Sequence, residues 1–133
     1  MNSDWEADRH CFVCGTENPF GLKLVFSRAE GKVVSAFIPS PPYQGYKDKV
    51  HGGIIASVLD EAMIQAAAAE GVTSVTAEIR VRFRKPLLIG EEAEIEAEIT
   101  RKGPRLLESR ARMRHRRSGA VLAEATAKLL PVP

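Results

Sequence analysis

One stretch governs what this chain can become: Val50-His51-Gly52-Gly53-Ile54-Ile55-Ala56-Ser57-Val58-Leu59-Asp60-Glu61-Ala62-Met63. Two glycines open a helix that is expected to run to about Ala69 and stop at Gly71. Apolar residues fall on nearly every side: Ile54, Ile55, Val58, Leu59, Ala62, Met63 and Ile64, then Ala66 to Ala69. A helix that is apolar all round belongs in a core. Yet Asp60 and Glu61 sit in its middle, and the helix has no basic residue to pair with them. Burying an unpaired carboxylate is costly, so a buried acid here is a first sign of chemistry.

The start of the helix carries a second sign. The first N–H groups of a helix have no partner within it, and the macrodipole makes that end electropositive. Gly52 and Gly53 let another group approach closely, so they offer a site for an oxyanion or carbonyl oxygen. Asp60 is the obvious reacting carboxylate. Gly53 and Asp60 are separated by roughly 10 Å along the helix axis, whereas both must come within about 3 Å of one reacting centre. Two copies of the helix packed antiparallel about a twofold axis meet that demand. The spacing therefore argues for a homodimer with two shared sites.

A chain of 133 residues is expected to form one domain, residues 11–133, after an irregular segment at residues 1–10. A net charge of +2 is too small to suggest nucleic acid. The opening Met1–Glu6 is polar and acidic, unlike a signal peptide. The helix carries Asp60, Glu61 and Gln65 in a span read as too short to cross a membrane. We therefore expect no membrane partner and a cytoplasmic location.

Cys11-Phe12-Val13-Cys14-Gly15 and Asn18-Pro19-Phe20-Gly21 form a compact run of turn residues around a CxxC. Three readings stand. The first is a tight turn with two small buried thiols, with no metal. The second is a metal site, which needs ligands beyond the two cysteines; His10 and His51 are near in sequence. The third is a redox pair, disfavoured because no strand precedes the CxxC.

Leu22–Phe26 and Val33–Ile38 read as strands joined at Glu30-Gly31. Prolines 39, 41 and 42 then break the pattern, and a loop holding Gln44 leads to His51. Four alternating strands follow the helix. Their expected inward residues are Val75, Ala77, Ile79, Val81 and Phe83; then Ala93, Ile95, Ala97 and Ile99; then Leu107, Ser109, Ala111 and Met113; then Val121, Ala123, Ala125, Ala127 and Leu129. Short connections between them suggest antiparallel neighbours. The outward faces set rows of Glu beside rows of Arg, a pattern that cross-strand pairing explains without nucleic acid. Arg114-His115-Arg116-Arg117 is denser and stays more open.

Strand, strand, buried helix and four strands, in that order, resemble the hotdog fold, an α+β architecture in which a curved antiparallel sheet of about six strands wraps one long helix. His51-Gly52-Gly53, with Asp60 nine residues after the histidine, resembles the PaaI-type acyl-CoA thioesterases. The CxxCG and Asn18-Pro19-Phe20-Gly21-Leu22 signatures, with Gln44-Gly45, resemble one branch of that group. The resemblance implies hydrolysis of acyl-CoA to free acid and CoA, without a cofactor. The Gly53 N–H, helped by Gly52, would bind the thioester oxygen. Asp60 of the partner subunit would be base or nucleophile, and His51 and Gln44 would orient thioester or water. Arg84, Lys85, Arg101 and Lys102 are the implied contacts for the CoA phosphates. Dimers that pair into tetramers are also implied. The alternative is a hotdog protein that binds acyl-CoA without turnover; a hydratase or dehydratase ranks lower, because its histidine and acid are placed differently.

Overall fold

The computed structural model describes residues 5–133. Residues 1–4, part of the expected irregular segment, lie outside the described residues; residues 5–10 carry no helix or strand. The elements are β1 (Ser27–Ala29), β2 (Lys32–Phe37), a single 3-10 turn at Pro41–Tyr43, α1 (Gly52–Ala69), β3 (Ser74–Phe83), β4 (Ala93–Lys102), β5 (Leu107–His115) and β6 (Val121–Pro131). The strands form one antiparallel sheet in the order β1-β2-β4-β5-β6-β3, and α1 packs against it. This is the hotdog architecture.

α1 begins at the glycine pair and ends before Gly71, whose φ of 80° closes the helix in the left-handed region. Its buried face is Ile55, Val58, Leu59, Ala62, Met63, Ala66 and Ala67. The facing sheet contributes Ala93, Ala97, Ala111, Ala123, Ala125 and Ala127 among larger side chains such as Ile95, Leu107, Met113 and Leu129. Small residues on both surfaces let helix and sheet approach closely. The helix is not enclosed on all sides as its composition suggested: Gly53 and Ala68 are exposed, while Ile54 and Ile64 are half-buried. Nor is it too short for a membrane span, since its 18 residues meet that length and apolarity. Its most apolar face is instead spent on the sheet.

Three expectations need correction. Leu22–Phe26 is not a ladder strand. Leu22 and Leu24 donate backbone bonds to the carbonyls of Phe12 and Val13, so this segment is held by the CxxC turn instead. Second, β3 and β4 are not neighbours. β3 lies beside β6 at the far edge, and residues 84–92 carry the chain across the mouth of the sheet. Leu87 anchors that crossing: it is fully buried, and its carbonyl accepts the N–H of Val50. Third, the register of β3 against β6 shifts between Thr76 and Glu78. Thr76 is paired with inward Leu129, and Ile79, Val81 and Phe83 with Ala127, Ala125 and Ala123. Val75 is paired with exposed Leu130 and so faces outward, contrary to strict alternation. A smaller irregularity between β5 and β6 buries Leu122 as well as Ala123.

Ala62 tests the close approach of helix and sheet. Leucine is a good helix former but overfills this contact. Ala62→Leu is expected to lower stability by about 1–3 kcal/mol, measured as a lower urea midpoint with an unchanged slope.

Candidate active site

Asp60 projects from the middle of α1 toward the edge strand. The Thr76 hydroxyl donates to its Oδ1 at 2.6 Å. The β3 bulge makes this contact possible, because without it the threonine would face the opposite side of the sheet. The side chain is half-buried, accepts from one neutral donor at Oδ1, and has no partner on Oδ2 among the described residues. Thr76 is the site residue that alternation alone missed. Glu61, about 100° further round the helix, points elsewhere: its Oε2 accepts from Gln65 and its Oε1 lies near Cys11. Adjacent acids thus meet different partners on two faces of one helix.

At the N-terminal end, His51 is the helix cap. The Gly53 N–H donates to His51 Nδ1 at 2.8 Å. The first-turn amide expected to await an oxygen is therefore already satisfied within the chain. Gly52 N–H has no protein acceptor among the described residues. Because Nδ1 accepts, the proton of the neutral ring sits on Nε2, so the exposed imidazole presents a second donor beside the helix end. Phe83 lies over Gly52, with its ring edge 3.5 Å from where a Cβ would stand. That is ordinary contact distance, so the ring rests on the helix start without demanding glycine there.

The loop before the helix is closed on itself. His51 N–H donates to the Tyr43 carbonyl and Gly45 N–H to Lys49. Gly45 packs on His51, whose Cα would stand 3.2 Å from an added Cβ. The exposed Gln44 uses its side-chain oxygen to accept the Asp48 N–H at 3.2 Å. Gln44 and His51 are thus neighbours across one loop, and Gln44 is occupied in shaping it.

Within one chain, Asp60 and Thr76 lie near the start of β3, and Gly52 and Phe83 at its other end. Among the described residues β3 pairs only with β6, which leaves its other edge unpaired. Ile79 is 37% exposed and Phe83 53% exposed on the face where core residues were expected. The basic candidates fall into two separate groups. Arg84 and Lys85 follow Phe83, bonding through their N–H groups to Leu122 near the start of β6. Arg101 and Lys102 lie at the opposite end of the sheet; Arg101 faces Glu108, and Lys102 reaches the Glu70 carbonyl past the helix C-terminus. One chain does not bring these groups together.

A groove of about 390 Å³ lies on the outer face of the sheet, lined by side chains including Lys32, Arg80, Arg82, Glu96, Arg112 and Glu124. It is of mixed charge and faces away from α1. Glu98 pairs with Arg110, and Glu124 with Arg84. In the basic cluster Arg116 reaches Glu92 at 2.6 Å, and His115 Nε2 lies 3.0 Å from Glu91. Across β4 and β5, Glu94, Glu96 and Glu98 stand opposite Arg114, Arg112 and Arg110, so the charge rows face each other with opposite sign. Cys11 and Cys14 are free thiols. Burial foremost, then the neighbouring Cys11 and Glu61, raise the Cys14 thiol far above the ordinary range.

Residues 48–122, from the loop before α1 through the start of β6, match the family model described as the thioesterase superfamily. The chain belongs to the thioesterase superfamily. Solved structures agree in fold. Protein RHA08564, a thioesterase superfamily protein, shares 26% identity at a TM-score of 0.86 over 92% of this chain; this chain spans 60% of that one. The PaaI protein of Escherichia coli, from its phenylacetic acid degradation operon, shares 18% identity at a TM-score of 0.78, over 84% of this chain and 81% of PaaI. The smu.793 protein of Streptococcus mutans, solved bound to acetyl CoA, shares 17% at 0.77, over 82% and 88%. No curated protein matches the sequence. The family match includes His51, Gly52, Gly53 and Asp60 but not the CxxC segment.

In this thioesterase-superfamily chain the His51 cap is separable from any chemistry. His51→Ala should destabilise α1 by about 1 kcal/mol, whereas His51→Asn, which keeps a capping oxygen, should recover most of that loss. Urea unfolding of the two variants checks the ranking.

Proposed function

We propose that this protein hydrolyses acyl-CoA thioesters at a site shared by two copies of the chain. The observation that carries the reading is the division of the parts along β3. Asp60 with Thr76 occupies one end, and the open helix N-terminus beside Phe83 occupies the other. An antiparallel pairing of two β3 edges about a twofold near Ile79 and Arg80 sets each Asp60 against the partner's helix N-terminus. The same pairing covers the exposed Ile79 and satisfies the bare edge, which otherwise invites association.

In that arrangement the thioester oxygen sits at the first turn of one α1. The Gly52 amide, the Gly53 amide once shared with His51, and the helix dipole stabilise the charge that develops there. Asp60 of the other chain deprotonates water or attacks the carbonyl carbon itself; Thr76 holds Oδ1 and leaves Oδ2 to react. His51 Nε2–H orients the thioester, and Gln44 acts by holding the loop that carries His51. When water attacks, the tetrahedral intermediate collapses to the free acid as the CoA thiolate leaves and takes the proton held by Asp60; when Asp60 attacks, loss of the thiolate leaves an acyl–Asp60 anhydride, which a water then hydrolyses to the free acid. Arg84 and Lys85, next to the shared site, are the nearer candidates for CoA phosphates; Arg101 and Lys102 would serve only from another subunit. The acetyl CoA seen on smu.793 supports the ligand class by likeness of fold.

An acyl-CoA panel followed by thiol release tests the reading. Asp60→Ala should lower kcat by about 10²–10⁴-fold, the usual contribution of a positioned base. Tight acyl-CoA binding with no turnover by the wild type would instead identify a binding protein. Complementation tests the shared site. Asp60→Ala and Gly53→Pro are each expected to be inactive alone. Mixed and refolded together, they should recover roughly a quarter of wild-type activity, because half the dimers are mixed and each mixed dimer holds one intact site. No recovery, with mixed dimers present, means that each site lies within one chain.

A further inference from the structure

A second group of chemically active side chains lies on a different face of α1 from Asp60. The sulfur atoms of Cys11 and Cys14 and a carboxylate oxygen of Glu61 fall within 4.8 Å of one another, all half-buried. The two segments are fifty residues apart in sequence, so the tertiary fold assembles them. Cys11 Sγ stands 3.8 Å from Glu61 Oε1. A thiolate and a carboxylate oxygen around tetrahedral zinc stand ~3.5 Å apart, given the usual bond lengths.

The CxxCG turn is shaped to present its sulfurs. Gly15 N–H donates to the Cys11 carbonyl at 2.9 Å, and Cys14 N–H donates to Cys11 Sγ at 3.5 Å. Gly15 is buried, and an added Cβ would fall 2.3 Å from the Arg9 carbonyl oxygen and 2.5 Å from Cys11 N. Only glycine closes this turn. Gln65, one turn beyond Glu61, supports the group from outside. Its Nε2 lies 2.8 Å from Glu61 Oε2 and 3.8 Å from Cys14 Sγ. Outer hydrogen bonds of this kind orient metal ligands. No Lys, Arg or His side chain pairs with Glu61 among the described residues; His10 is turned to Asp8 instead.

We infer that Cys11, Cys14 and Glu61 bind a zinc ion. Two thiolates and one carboxylate suit zinc over magnesium or calcium, which prefer all-oxygen shells. Binding releases the two thiol protons, and the three anionic ligands leave the site with one net negative charge. The fourth position falls beside Gln65, filled by its amide oxygen after a flip of the amide or by a water that it holds. The ion ties the poorly laddered N-terminal segment to α1, at the residue after Asp60. The role is structural and does not depend on thioester hydrolysis.

Full-length protein, purified under reductant without chelator, is assayed for zinc; the metal-free form is then titrated with Co(II). The expected result is one zinc per chain and a Co(II) spectrum with a thiolate charge-transfer band and tetrahedral visible bands. Cys14→Ser should abolish stoichiometric binding. Glu61→Gln should keep the charge-transfer band at reduced affinity. Gln65→Ala should weaken binding by about 10–100-fold. Zinc should also slow proteolysis within residues 9–20. Absence of the Co(II) spectrum in reduced wild-type protein overturns the inference, as does unchanged affinity in Glu61→Gln. A Cys11–Cys14 disulfide in metal-free protein isolated without oxidant also overturns it, and identifies a redox pair. The wild-type titration decides the question even where a cysteine variant fails to fold.

Discussion

Close contact between α1 and an alanine-rich sheet face is the constraint on which the other features rest. Ala62, Ala66 and Ala67 on the helix meet a surface that includes Ala93, Ala97, Ala111, Ala123, Ala125 and Ala127. Dispersion contacts fade within about an ångström of added separation, so a helix held this near the sheet has little freedom to rotate or slide. That fixes the direction of every side chain on it. Asp60 meets Thr76, and Glu61 meets the CxxC turn, because the buried stripe of Ile55, Leu59, Ala62 and Ala66 leaves each no other direction.

The same packing divides the molecule's polar groups. The β3 side holds a carboxylate with one neutral hydrogen-bond donor and open lone pairs. The face turned toward the CxxC segment holds a carboxylate with an amide and two thiols nearby. A single sequence pair, Asp60-Glu61, is thereby split between two environments by 100° of helical rotation. The chemistry we propose for the first and the ion we propose for the second share no ligand, yet both rely on the helix not turning.

β3 connects the ends of the proposed reaction site. Among the described residues its backbone pairs on one side only, and its inward face is partly uncovered, with Ile79 and Phe83 exposed. An edge of this length with exposed Ile79 and Phe83 is unfavourable in isolation. A second copy resolves the exposed surface and the separation of Asp60 from the helix start in one arrangement, which is why the oligomer and the mechanism stand together in our reading.

Much of this protein is legible in its residues. The glycine pair and Gly71 bound the helix and period-two alternation marks four strands, because each depends on local backbone preference and spacing; His51-Gly52-Gly53 with Asp60 marks a candidate site by its resemblance to a family pattern. The tertiary structure alone decided the rest. Strand order places β3 beside β6, since a buried Leu87 carries the connection across the sheet. The Thr76–Asp60 bond needs a one-residue bulge, and a single extra residue reverses which face a side chain takes. His51 satisfies the Gly53 amide through a ring orientation that no spacing rule specifies. Glu61 reaches Cys11 and Cys14 only when fifty intervening residues have folded. Local pattern sets the elements; the contacts between elements depend on long-range packing, which acts on side-chain direction at a scale finer than periodicity resolves.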